Sequence, residues 1–130
     1  MLRAFTIETK QFQPELYRSY LRVLARVALR SGGALKNKVD ASDIVQEALL
    51  KAIVALPQFR GRTHQEFAAW LRAILANKFT DVAKHFAKQK RDVALEQSYL
   101  ETLNDSADRF EALIAADVTR AAIKIGRAHV

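Results

Sequence analysis

Four side chains in one stretch have the types and spacing to meet a nucleic-acid strand. Asn77, Asp81, Lys84 and Lys88 are separated by four, three and four positions. In a helix that spacing puts them on one side. The stripe ends in a basic group, Lys88, Lys90 and Arg91. A polar stripe turning basic, beside an apolar spine, suits a nucleic-acid backbone. A second stripe, Arg18, Arg22, Arg26 and Arg30, recurs at four-residue spacing. There a solvated surface outweighs a phosphate-tracking one, since charge runs usually just face water. A third group, Asp43, Gln46, Glu47 and Leu50, lies on or beside one side of another helix. An apolar residue among acids is able to dock a protein. On spacing alone, however, Asp43 reads as a first-turn acid and Glu47 as the i+4 partner of Lys51.

Bond-making chemistry is not among the patterns. The sequence has no Gly-rich phosphate loop, no HExxH and no cysteine nucleophile. His64, His85 and His129 are far apart, and without cysteine there is no thiolate metal site. Asp40 and Asp43 are a pair of acids with no residue pattern around them that builds a pocket. The expectation is a binding protein with no catalytic residues, no metal and no cofactor.

The totals agree with an anionic partner. The chain has 130 residues and a formal net charge of +7, with an isoelectric point near 10.0. Such a balance favours nucleic acid as a partner but says nothing about fold. The charge alternates along the chain: basic to Val39, acidic from Asp40 to Glu66, basic again to Asp92, then acidic. An acidic helix between two basic ones implies two different partners on one domain. No apolar run approaches the ~20 residues of a membrane span. Residues 1–13 lack the pattern of a signal peptide. A cytoplasmic protein is the simplest reading.

The elements that must position these groups are helices. Residues 1–13 show no period and read as an N-terminal extension. Pro14 suits a first helical turn, and apolar residues at helical spacing run from Leu16 to Ala28. Gly32 and Gly33 stop that helix. A second begins at Asp40 or Ser42 as cap, continues through Ile44, Val45, Ala48, Leu49, Ala52, Ile53 and Leu56, and ends at Pro57. A third follows Gly61, with Thr63 and Glu66 as a capping box. Its apolar spine is Phe67, Trp70, Leu71, Ile74, Leu75, Val82 and Phe86. Short connections make these helices direct neighbours. The predicted fold is all-α, a three-helix bundle over residues 14–92. Residues 93–124 read as a linker with a short helix: Val93 to Asp108 is polar, Asn104-Asp105-Ser106 is turn-like, and Arg109 to Ile123 has weak helical spacing. Residues 125–130, Ile-Gly-Arg-Ala-His-Val, resemble a translated sequencing adapter. They are expected to be a non-native tail on a truncated gene.

Taken together, the pieces resemble region two of bacterial RNA polymerase sigma factors, in the extracytoplasmic-function group of the sigma-70 family. The resemblance runs from about Pro14 to Arg91. It is carried by Asp40-Ala-Ser-Asp43-Ile-Val-Gln46-Glu47-Ala-Leu-Leu50, Phe59-Arg60-Gly61, Phe67-Ala-Ala-Trp70-Leu71-Arg-Ala-Ile74-Leu-Ala-Asn77, and Asp81. It implies a role in opening the promoter minus-ten element during transcription initiation. The helix from Asp40 to Leu56 would dock on the clamp coiled coil of the polymerase β′ subunit through Asp40, Asp43, Gln46, Glu47 and Leu50. This implication reverses the preference that spacing alone gives there. Phe59, Arg60, Arg62, Asn77, Lys78, Asp81, Lys84, Lys88, Lys90 and Arg91 would meet the non-template strand. Asn77 would pair with the edge of an unstacked base, since its amide both donates and accepts. The basic side chains would hold phosphates without reading sequence. Trp70 belongs to the spine and reads as core, whereas Phe59 is evenly divided between touching DNA and capping the bundle. An anti-sigma factor is a further partner the resemblance allows. Region four, which reads the minus-thirty-five element, has no match. The rival reading is a basic helical DNA-binding or protein-interaction module that works without polymerase.

Overall fold

The helices form where apolar residues return every three or four positions, and side-chain caps close the starts of the two that begin at Ala41 and His64. The computed structural model describes residues 12–30, 35, 38–87 and 93–128. A 3-10 turn, Pro14–Tyr17, leads into helix α1, Arg18–Arg30. Leu21, Leu24, Ala25 and Ala28 are its buried stripe, at the i, i+3, i+4, i+7 spacing of an amphipathic helix. That stripe is narrower than the sequence implies, because Leu16, Val23 and Val27 face outward. Leu35, in the connection, is buried in the same core.

Helix α2, Ala41–Ala55, is capped by Asp40, whose carboxylate accepts from the Ser42 amide at 2.9 Å. It buries Ala41, Ile44, Val45, Ala48, Leu49 and Ala52. Alanines on this seam and on α1 leave little between the two backbones, so the helices can approach closely. Pro57 sits in a 3-10 turn, Leu56–Gln58, that ends the helix.

Helix α3, His64–Ala87, starts at the predicted cap. Thr63 Oγ1 accepts from the Glu66 amide at 3.0 Å and donates to the Glu66 carboxylate at 3.2 Å. The buried line is Phe67, Leu71, Leu75, Phe79 and Ala83. It differs from the spine read in the sequence. Phe79 is fully buried, Trp70, Ile74 and Val82 are half-buried, and Phe86 is exposed. Thr80 is buried with its hydroxyl donating to the Ala76 carbonyl at 2.9 Å, so no polar group there is left without a partner.

The fourth element corrects the expectation of a linker. Residues 93–128 form one helix, α4, Val93–Ala128. It runs through the turn-like Asn104-Asp105-Ser106 and through Gly126. Leu103 and Ala107 are buried, with Leu95, Tyr99 and Leu100 packed beside them. Leu95, Tyr99, Leu103 and Ala107 are four apart and line one side of α4, with Leu100 beside them. Tyr99 stacks on Phe79 with ring centroids 5.2 Å apart. Neighbouring pairs are α1–α2, α2–α3, α3–α4 and α4–α1. The all-α expectation therefore holds, but the bundle has four members rather than three.

Candidate interface on the second and third helices

The polar residues singled out in the sequence meet where α2 crosses α3. Glu47 and Lys51 are one turn apart on α2, and Asn77, Lys78 and Asp81 span one turn of α3. Facing turns create two rungs. Lys78 Nζ lies 2.7 Å from Glu47 Oε2. Lys51 Nζ donates to Asn77 Oδ1 at 2.7 Å and lies 3.8 Å from Asp81 Oδ2. A third helix joins them: Asn77 Nδ2 donates to Glu96 Oε1 on α4 at 3.1 Å. Lys51 and Asp81 are about half exposed, and exposed ion pairs contribute roughly 0–1 kcal/mol each. The ion pairs are weak enough to be exchanged for a partner's.

The outer side of α2 is open. Asp43, Gln46, Glu47 and Leu50 are all exposed, at the i, i+3, i+4, i+7 spacing of one helix side. Asp40 is exposed too, but one carboxylate oxygen is used as the cap. The same side continues into Ile53 and Val54, 51% and 81% exposed beside Leu50 at 53%. Three neighbouring exposed apolar residues at the end of an acidic face form a patch of the kind that marks a protein contact. The sequence reading placed Ile53 in the core. In the structure it lies one turn on from Leu50, on the exposed side.

On α3, Asp81 is exposed and Asn77, Lys78 and Lys84 are half-buried. Lys88, Lys90 and Arg91 lie outside the described residues. Arg60 and Arg62 are exposed on the loop before α3, and the Arg60 guanidinium donates to the Pro57 carbonyl at 3.3 Å. Phe59 turns inward and packs with Phe12, Phe67 and Trp70, centroids 5.1 to 5.3 Å apart. Trp70 also stacks on Phe67. Gly61 makes room for this: a Cβ there would lie 2.8 Å from Phe59 Cε1 and 2.9 Å from Glu66 Cβ. Any larger residue must push the ring out of the cluster.

Sequence reasoning missed the groups that fasten α4. Arg72 donates to Asn104 Oδ1 at 2.8 Å and to the Tyr20 hydroxyl at 2.7 Å, tying α3, α4 and α1 together. Burial pushes the Tyr20 hydroxyl up from its ordinary pKa, and the Arg72 hydrogen bond pulls the other way. Glu96, in the first turn of α4, was also missed. A single carboxylate or amide in a polar stretch carries no signal until the helix register is known.

The Sigma-70 region 2 family model matches residues 16–92. The chain belongs to the sigma-70 region 2 family. The match covers α1 to α3 and the polar crossing, and ends just before α4. No curated protein and no solved structure matches the chain. Membership gives this sigma-70 region 2 protein a sigma-factor-like role in transcription initiation, in a family of non-enzymatic domains that work with RNA polymerase core and promoter DNA. Among the described residues no helix is long and apolar enough to cross a membrane, and no three His, Asp or Glu side chains cluster as metal ligands.

Proposed function

We propose that the chain is a cytoplasmic sigma factor of the extracytoplasmic-function group, which docks on core RNA polymerase through α2 and captures the opened minus-ten strand through α3. The outer side of α2, with Asp43, Gln46, Glu47 and Leu50, would sit on the β′ clamp coiled coil, and Asp40 would shape its start. Arg60, Arg62, Lys78 and Lys84 would hold phosphates of the non-template strand, together with Lys88, Lys90 and Arg91. Asn77 would meet an unstacked base, with Asp81 beside it. Opening the duplex would draw on binding energy that is realised only once a base leaves the stack.

One observation supports the reading. The acidic-to-apolar side of α2 is exposed while Asn77, Asp81 and Lys84 edge the adjoining helix, so the two surfaces adjoin and meet at the Glu47–Lys78 pair. Phe59 and Trp70 support the bundle, since their rings pack on Phe67; both stay half-buried, and Phe59 would reach the strand from the loop before α3.

The test uses the full chain, bacterial core polymerase and a fork-junction DNA whose single-stranded segment is randomised. Glu47→Ala should weaken association with polymerase by about tenfold, the loss typical of one good interface residue. Asn77→Ala should leave that association unchanged and weaken DNA capture by the assembled complex. If both variants match the wild type in both measurements, the reading is wrong.

A further inference from the structure

We infer that Lys51 is a positioning residue that fixes which end of the Asn77 amide a base meets, and that Glu96 stands in for that base. The inference rests on the strand-capturing reading above. It follows from the donor and acceptor inventory of the three side chains. A lysine ammonium only donates, so at 2.7 Å it must face the amide oxygen of Asn77. A carboxylate only accepts, so Glu96 Oε1 at 3.1 Å must face the amide nitrogen. The two neighbours agree on one orientation. Asp81, 3.8 Å from the same ammonium, keeps Lys51 in place from the next turn of α3.

The consequence is a chemical preference. With its oxygen turned to Lys51, Asn77 presents its N–H donors on the side that Glu96 occupies. Glu96 Oε1 marks the place of an acceptor. A base entering there would be favoured when it presents a carbonyl oxygen to the amide and disfavoured when it presents an exocyclic amine. A free Asn would turn over and accept from an amine equally well. Lys51 sits on the helix read as facing polymerase, yet its ammonium reaches the residue read as facing DNA. It thereby sets specificity from a position that need not touch the strand. Glu96 comes from α4 and must leave before a base arrives, so it competes with capture without choosing among bases.

The test is selection from a single-stranded DNA pool with randomised positions, captured by the full chain bound to bacterial core polymerase and then sequenced. Wild type should enrich guanine and thymine, which carry a carbonyl where adenine and cytosine carry an amine, at one position by about fivefold, the worth of one well-made hydrogen bond. Lys51→Met should flatten that position alone and leave the others unchanged. Lys51→Arg, still a pure donor, should restore it. Glu96→Ala should raise total capture about fivefold with the same base preference, by removing one competing hydrogen bond. Uniform weakening at every position in Lys51→Met, or an unchanged profile, overturns the inference while the sigma reading stands. If wild type with polymerase captures no DNA, the sigma reading fails and the inference with it.

Discussion

The aromatic end of α3 and its polar crossing are neighbours on one helix, yet they are held in opposite ways. Around Phe67 the contacts are rings, with Phe12, Tyr17, Phe59 and Trp70 packed tilted, edge to face or stacked at 5.1 to 5.6 Å. Around Asn77 they are hydrogen bonds and ion pairs, with Glu47, Lys51 and Glu96 reaching in from two other helices. Ring packing has no exchangeable partner: water cannot replace it without loss of the burial that stabilises the fold. The ion pairs among the polar contacts are exposed or half exposed, so water, phosphate or another protein can take either side at little cost. The contrast separates a part of α3 that must stay fixed from a part that is free to change partners.

Substitutions can break or sharpen that contrast. The largest effect is expected at its apolar pole. Phe67→Ala should cost about 3–5 kcal/mol, the usual range for emptying a buried ring site, read as a lower midpoint in urea. A loss below about 1 kcal/mol would mean that the cluster does not anchor the fold. Gly61→Ala comes next. It forces Phe59 aside and should destabilise by about 1–3 kcal/mol through overpacking, with tryptophan fluorescence reporting the displaced neighbour of Trp70. Arg72→Ala should cost about 1–2 kcal/mol, since it strips partners from half-buried Tyr20 and Asn104. Hydrogen exchange should then rise in α4 ahead of α2. The smallest effect belongs to the polar crossing. A double-mutant cycle between Glu47→Ala and Lys78→Ala should give a coupling under about 1 kcal/mol. That coupling should fade as salt is added. A larger, salt-resistant coupling would erase the difference between the two regions.

How much of this was readable beforehand follows the same division. The first three helices were legible from their apolar period, and in two of them caps agree with it: Asp40 closes α2 and Thr63 with Glu66 closes α3 where the sequence places them. Helix α4 was hidden by the polar run in its middle. Asn104, Asp105 and Ser106 look like a turn locally, and packing against Phe79 and α1 makes the stretch a helix. At the site, residue types were legible and partners were not. Glu47 and Lys51 are natural i+4 partners in sequence, but each reaches across to α3 instead. Which turn faces which depends on how two helices are set against each other, and no single helix encodes that. Phe59 shows the same limit. Its loop position left DNA contact and bundle capping evenly balanced, and the ring packs inward.

The central claim is that α2 and α3 serve different partners. It is tested most directly by placing a photo-crosslinking residue at Leu50 in one variant and at Lys84 in another. Each is assembled with core polymerase and a fork-junction DNA, then irradiated. Crosslinking of position 50 to the β′ polypeptide and of position 84 to DNA is the result this account predicts. Attachment of position 50 to DNA, or of position 84 to polymerase alone, would contradict it.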